Sequence, residues 1–180
     1  MTDKNDSVKN PTSSRCSQGE PLTFRWFGFP TAEPGQDLQV LLSKVEEVIH
    51  KPNRIINDYV LGMAKAEIRT RIRLAEKGAL HTPSQVDSVD RRGGAPLYEI
   101  RWQNITVLVK RGRGKPRESE IKLRLYHSEP REAPSHFVGH HIHEKDLTVK
   151  SQINHLQNAE IRVARNYYFQ GLPTFWGIRN

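Results

Sequence analysis

At 180 residues the chain can bury about two-thirds of its unfolded surface in one domain without disulfides or metals to staple it. Its 28 Lys and Arg against 20 Asp and Glu leave a formal charge of +8, which favours an anionic partner: nucleic acid, an acidic protein or a membrane surface. No apolar run approaches the roughly 20 residues that span a bilayer, and a single cysteine excludes both an intrachain disulfide and a multi-thiolate zinc cluster.

The opening MTDKNDSVKNPTSS is polar and lacks the basic-then-apolar order of a signal peptide, so a cytoplasmic protein is expected. Residues 1–20 offer no apolar face and are predicted to be a disordered tail in which Cys16 is inert. Residues 21–180 read as a single α+β domain. In LTFRWFGF, residues 22–29, Leu22, Phe24 and Trp26 alternate with Thr23, Arg25 and Phe27, the period of a strand. Leu38, Leu41, Leu42, Val45, Val48 and Ile49 then form one helical stripe that ends before Pro52. A second stripe, Ile56, Tyr59, Val60, Met63, Ile68, Ile72 and Ala75, runs to Gly78, a natural C-terminal stop.

After a loop in which QVDSVD can pair as an edge, the pattern turns to strands. Tyr98, Ile100 and Trp102 point one way, Glu99 and Arg101 the other. NITVLV continues the strand into the basic, glycine-rich KRGRGKPRE connection. Ile121, Leu123 and Leu125 share a face opposite Lys122, Arg124 and Tyr126. HFVGHHIH is a further strand, with Val138 and Ile142 inward and His141 and His143 outward, and His140 is read as a hydrogen-bonded histidine at the margin. A last helix begins near Ser151, a plausible N-cap, with Ile153, Leu156, Val163, Ala164 and Tyr167 inward. Phe175 and Trp176 in the tail are expected to pack back. The fold class is therefore α+β: an antiparallel sheet of four to five strands, an N-terminal helical hairpin and a C-terminal helix, the helices grouped on one face.

Strand alternation gathers Glu99, Arg101, Lys122, Arg124, Tyr126, His141 and His143 on one open sheet face. Arginines for phosphate, histidines that titrate near neutrality and a tyrosine match RNA phosphodiester chemistry, in which the 2′-hydroxyl attacks the adjacent phosphorus and no metal or other cofactor is needed. A metal held by His141 and His143 with His127, His136 or a carboxylate is the rival, and no HExxH helix, cysteine pair or aspartate cluster supports it.

The order LYEIR, LRLY, HHIHEK, DLTVKSQ and NAEIRVARNYY resembles the phage-derived, HigB-type branch of the RelE/ParE toxin superfamily over residues 22 to about 168. That resemblance implies a toxin of a type II toxin–antitoxin pair, a ribosome-dependent endoribonuclease that cleaves mRNA and is silenced by a cognate antitoxin. It assigns Arg101, Arg124 and Lys145 to basic positions of the site and Tyr167 or Tyr168 to an aromatic one. The expected catalytic set is Arg101, Arg124, His141, His143, Lys145 and Tyr126. Lys110, Arg111, Arg113, Lys115, Arg117 and Lys122 are expected to bind RNA. The alternative is a non-catalytic relative that binds nucleic acid or gyrase through the basic hairpin.

Overall fold

The computed structural model describes residues 13–89, 94–145 and 153–178, the side chains of 153–155 excepted. Its elements are β1 (Thr23–Trp26), α1 (Asp37–Ile49), β2 (Arg54–Ile55), α2 (Asp58–Glu76), β3 (Val86–Ser88), β4 (Leu97–Arg111), β5 (Gly114–Ser128), β6 (His136–Glu144) and α3 (Ile153–Gly171). The proposed N-cap, Ser151, and residues 1–12 of the expected tail lie outside the described residues. Residues 15–17 form a 3-10 turn that buries Cys16 completely, so this part of the expected tail packs onto the domain.

The fold is α+β, with a mixed six-stranded open sheet ordered β1-β6-β5-β4-β2, β3 also pairing with β4. Three neighbouring strands, β4, β5 and β6, are antiparallel as predicted. The sheet is not purely antiparallel, however, and exceeds four to five strands: β1 runs parallel to β6, Thr23 opposite His136. Alternation in 22–29 is identical for either direction, and only the long crossover between these two strands, which parallel pairing requires, decides it.

Helix α1 buries Leu41, Leu42, Val45 and Ile49. Asp37 in its first turn accepts from Trp26 N and Arg25 Nη1, both at 2.8 Å, fixing α1 to β1. Helix α2 starts at Asn57, whose side chain accepts from Val60 N, relieving one of the unsatisfied donors at a helix start. Its inward stripe is Val60, Ala64, Ile68, Ile72 and Ala75, while Tyr59 and Met63, predicted inside, are exposed. Gly78, at φ +61, ends the turn after α2 in a conformation that glycine adopts without strain. Both helices pack with Tyr98, Ile100, Trp102, Leu123, Leu125 and Ile142 in the main core. Trp102 Nε1 donates to Glu67 O at 3.2 Å, so this buried indole keeps its hydrogen bond.

Helix α3 lies on the other face. Ile161 and Ala164 pack on Leu97 and Tyr126, whose strand parity is opposite to that of Tyr98 and Leu125. The expectation that all helices share one face is therefore corrected. Leu156 and Val163, predicted inward, are exposed, because the buried stripe of α3 is centred on Ile161 and Ala164. Trp176 in the C-terminal 3-10 segment is 1% exposed and packs on Tyr168 with Nε1 donating to Tyr168 O, whereas Phe175 stays in solvent.

Candidate functional site

The ladder places the polar residues in two transverse rows. Arg101 lies opposite Arg124, which lies opposite His143; Glu99 lies opposite Tyr126, which lies opposite His141. Directly opposed residues of an antiparallel pair share a face, so these six predicted residues occupy the same side of the sheet, and Lys122, two positions before Arg124 on β5, shares it by alternation. That side is not open throughout. Helix α3 covers its Tyr126 end, and Tyr126, Glu99, Arg124 and His143 are all buried.

Each charge has a defined environment. Arg101 donates through Nε to Glu99 Oε1 at 2.7 Å, through Nη2 to Asp87 Oδ2 at 2.8 Å and through Nη1 to Pro83 O at 2.7 Å. Arg124 donates to Leu123 O at 2.9 Å, and its Nε stands 3.8 Å from Glu99 Oε2. Burial lowers the Arg124 pKa from the ordinary arginine value, Glu99 opposing that effect. Glu99 Oε2 is buried and accepts no hydrogen bond among the described residues. Its role in balancing both arginines was not anticipated. The signal was present in the sequence: a glutamate on the same parity as Arg101, two positions away, must either pair with it or face it.

The histidines separate by environment. His141 Nε2 is 2.5 Å from Glu160 Oε2 of α3, the imidazole 19% and the carboxylate 36% exposed. His143 is pushed down to about 4 by burial, which outweighs the opposing charge of Glu160, so its ring is neutral at pH 7. Its Nδ1–H donates to Glu144 O at 3.1 Å, which leaves Nε2 to accept from Tyr126 Oη at 3.3 Å. Burial pushes the Tyr126 phenol upward, so Tyr126 is a neutral donor behind His143 and does not face solvent. His140 falls at a β-bulge between Tyr126 and His127. It is fully buried, held near 3 by desolvation, and bonded to Phe27 O and Ser128 Oγ.

Lys145 hydrogen-bonds through its backbone to Lys122 O at 2.7 Å. Partial burial first, then the nearby cations Arg124, Arg101 and Lys122, lower its ammonium pKa. Arg101, Lys122 and Arg124 are therefore near enough to act on Lys145. Beside them a cavity of about 210 Å³ is lined by Lys51, His143, Glu144, Lys145, Leu156, Gln157 and Glu160. Glu144 is committed to Arg54 Nη2 at 2.6 Å and Lys51 at 2.7 Å.

The basic connection is a two-stranded ribbon. Residues 110–118 are exposed, and the chain reverses at Gly112, φ +40, and Arg113. Lys115 and Arg117 share the parity of Ser119 and Ile121, and Lys110 and Arg111 lie on the opposing strand, so cations project from more than one side. Tyr168, the aromatic position implied by the resemblance, is edge-on to His140 and tilted against Trp176, outside the row that contains Arg124. Tyr167 is half-buried. Comparison with protein-family models, with curated proteins and with solved structures gives no match for this chain.

Proposed function

We propose that the chain is the toxin of a type II toxin–antitoxin pair, a metal-independent endoribonuclease acting on mRNA and held inactive by a cognate antitoxin. Convergence of Arg101, Lys122, Arg124 and Lys145 beside the His141–Glu160 pair is the observation behind this reading. Clustered cations depress one another and are stabilised by an anion, which is what a phosphodiester supplies. The motif order that resembles the HigB-type branch supports the same class.

In this reading Arg101, Lys122 and Lys145 meet the phosphate, while the more deeply buried Arg124 adds charge from behind. The RNA 2′-hydroxyl attacks phosphorus as its proton passes to a base, the P–O5′ bond breaks, and a proton is returned to the departing 5′-oxygen. Products are a 2′,3′-cyclic phosphate and a 5′-hydroxyl. His141, oriented by Glu160, exchanges these protons. His143, neutral and with both ring nitrogens engaged, orients the site together with Tyr126. No described helix is long and apolar enough to cross a membrane, and a cytoplasmic location follows from an mRNA target.

A second reading is a non-catalytic nucleic-acid- or gyrase-binding protein that uses the basic ribbon. It is favoured by the engagement of Arg101 with two carboxylates and a carbonyl, which leaves the ribbon as the most accessible run of cations. Purified protein incubated with mRNA and ribosomes without added divalent ions distinguishes the two. Cleavage with cyclic-phosphate ends, lost in His141→Ala and Arg101→Ala, supports the nuclease. Intact RNA under all conditions rejects it.

A further inference from the structure

A second set of donors lies across the sheet, on the side of α1 and α2, remote in role from the RNA-facing row. Cys16 Sγ is 3.7 Å from His127 Nε2, and His127 Nε2 is 3.1 Å from Glu129 Oε1. One ligand atom from each of the three residues lies within 4.8 Å of the others. Cys16 and His127 are 0% exposed and the Glu129 side chain 3%.

Zinc bonds of about 2.0–2.3 Å to N, O and S at tetrahedral angles place ligand atoms roughly 3.3–3.8 Å apart. The Cys16–His127 edge already has that length, and the His127–Glu129 edge reaches it by opening a few tenths of an ångström, on the order of ordinary side-chain relaxation. Both carboxylate oxygens of Glu129 are held in place, since Arg15 N donates to Oε2 at 2.8 Å and Ser14 Oγ donates to Oε1. Such outer partners orient metal-binding carboxylates. A cavity of about 530 Å³ lined by Arg15, Tyr98, Glu129 and Tyr168 reaches the carboxylate and gives an ion a way in.

We propose that Cys16, His127 and Glu129 form a zinc site, with a water in the fourth position, that staples the N-terminal 3-10 turn to the end of β5. Binding transfers the Cys16 thiol proton to solvent. Thiolate, carboxylate and neutral imidazole then balance the dication, leaving no net buried charge. A soft thiolate with an imidazole and one carboxylate selects zinc over magnesium or calcium, which prefer oxygen shells. The ion is structural and takes no part in RNA cleavage, so this site stands or falls independently of the proposed activity.

Metal-free protein titrated with zinc is expected to take up one ion per chain and to unfold at a higher temperature. Cobalt in its place should give the thiolate-to-cobalt charge-transfer absorption that surface histidines cannot produce. Cys16→Ser should abolish that band, and Glu129→Gln, which preserves shape, should weaken zinc binding by about tenfold or more. Substoichiometric zinc in folded wild-type protein, a cobalt spectrum without the thiolate band, or affinity unchanged in Glu129→Gln would each overturn the site.

Discussion

Glu99 Oε2 and Arg124 Nε face each other at 3.8 Å across the β4–β5 ladder, each side chain 6% exposed. The same carboxylate binds Arg101 through Oε1, so one buried anion balances two guanidinium groups. Removing the anion leaves buried charge uncompensated, which costs more than removing one cation. Glu99→Gln is predicted to destabilise the fold by about 3 kcal/mol in urea unfolding. Arg124→Met should cost about 1 kcal/mol, because Glu99 keeps Arg101. A double variant no less stable than Arg124→Met alone would confirm the coupling, and equal costs for the two single variants would contradict it.

This relationship shows what the sequence makes legible. Alternation with period two assigned Arg101, Arg124, His141 and His143 to one face, because a one-residue slip would have turned the charges into the core under α1 and α2 and taken Leu123 and Leu125 out of it. Alternation does not say what covers that face. Helix α3 offers apolar residues on more than one stripe, Leu156 and Val163 besides Ile161 and Ala164, and tertiary packing chose the second pair. Cys16 was hidden for another reason: its neighbours in sequence are polar, and its burial arises from residues far along the chain, from Leu80 to His127. The parallel β1–β6 pair is likewise a long-range choice that no local pattern encodes.

His140 supplies a pH dependence. Burial, opposed by its bond to Phe27 O, holds it near 3, below the ordinary value of about 6.5. The unfolded chain therefore binds more protons than the native one between those two pH values, and stability rises with pH there. Stability from this group is complete above about pH 6.5 and declines by about 1.4 kcal/mol per unit as pH falls toward 3. Denaturation at pH 7.5 and 5.0 is expected to show a loss that shrinks in His140→Gln. Parallel pH dependence of the two proteins would refute the assignment.

The basic ribbon is separable from the fold. Lys110, Arg111, Arg113, Lys115 and Arg117 are exposed, so replacing all five with Gln should leave thermal unfolding within a few degrees of wild type. For single-stranded RNA each phosphate contact contributes about 0.7 to the slope of log affinity against log salt. Five lost contacts would reduce that slope by about 3.5. Anisotropy titrations at several salt concentrations measure it; an unchanged slope would mean that RNA lies elsewhere.

His141 and Glu160 provide the sharpest test of chemistry, because the pair joins β6 to α3 at 2.5 Å while both groups keep access to solvent. Hydrogen bonding to His141 lowers the Glu160 pKa, against the effect of its burial, so the carboxylate is ionised at neutral pH and holds the imidazole in place. Glu160→Gln keeps the shape and removes the charge. RNA affinity should hardly change, since the proposed phosphate contacts lie on β4, β5 and Lys145. The cleavage rate should fall by about 100-fold in kcat with KM little changed, the scale of a positioned acid or base. A purely structural role for Glu160 would instead lower stability and shift kcat and KM together, and cleavage at the wild-type rate would remove His141 from the mechanism.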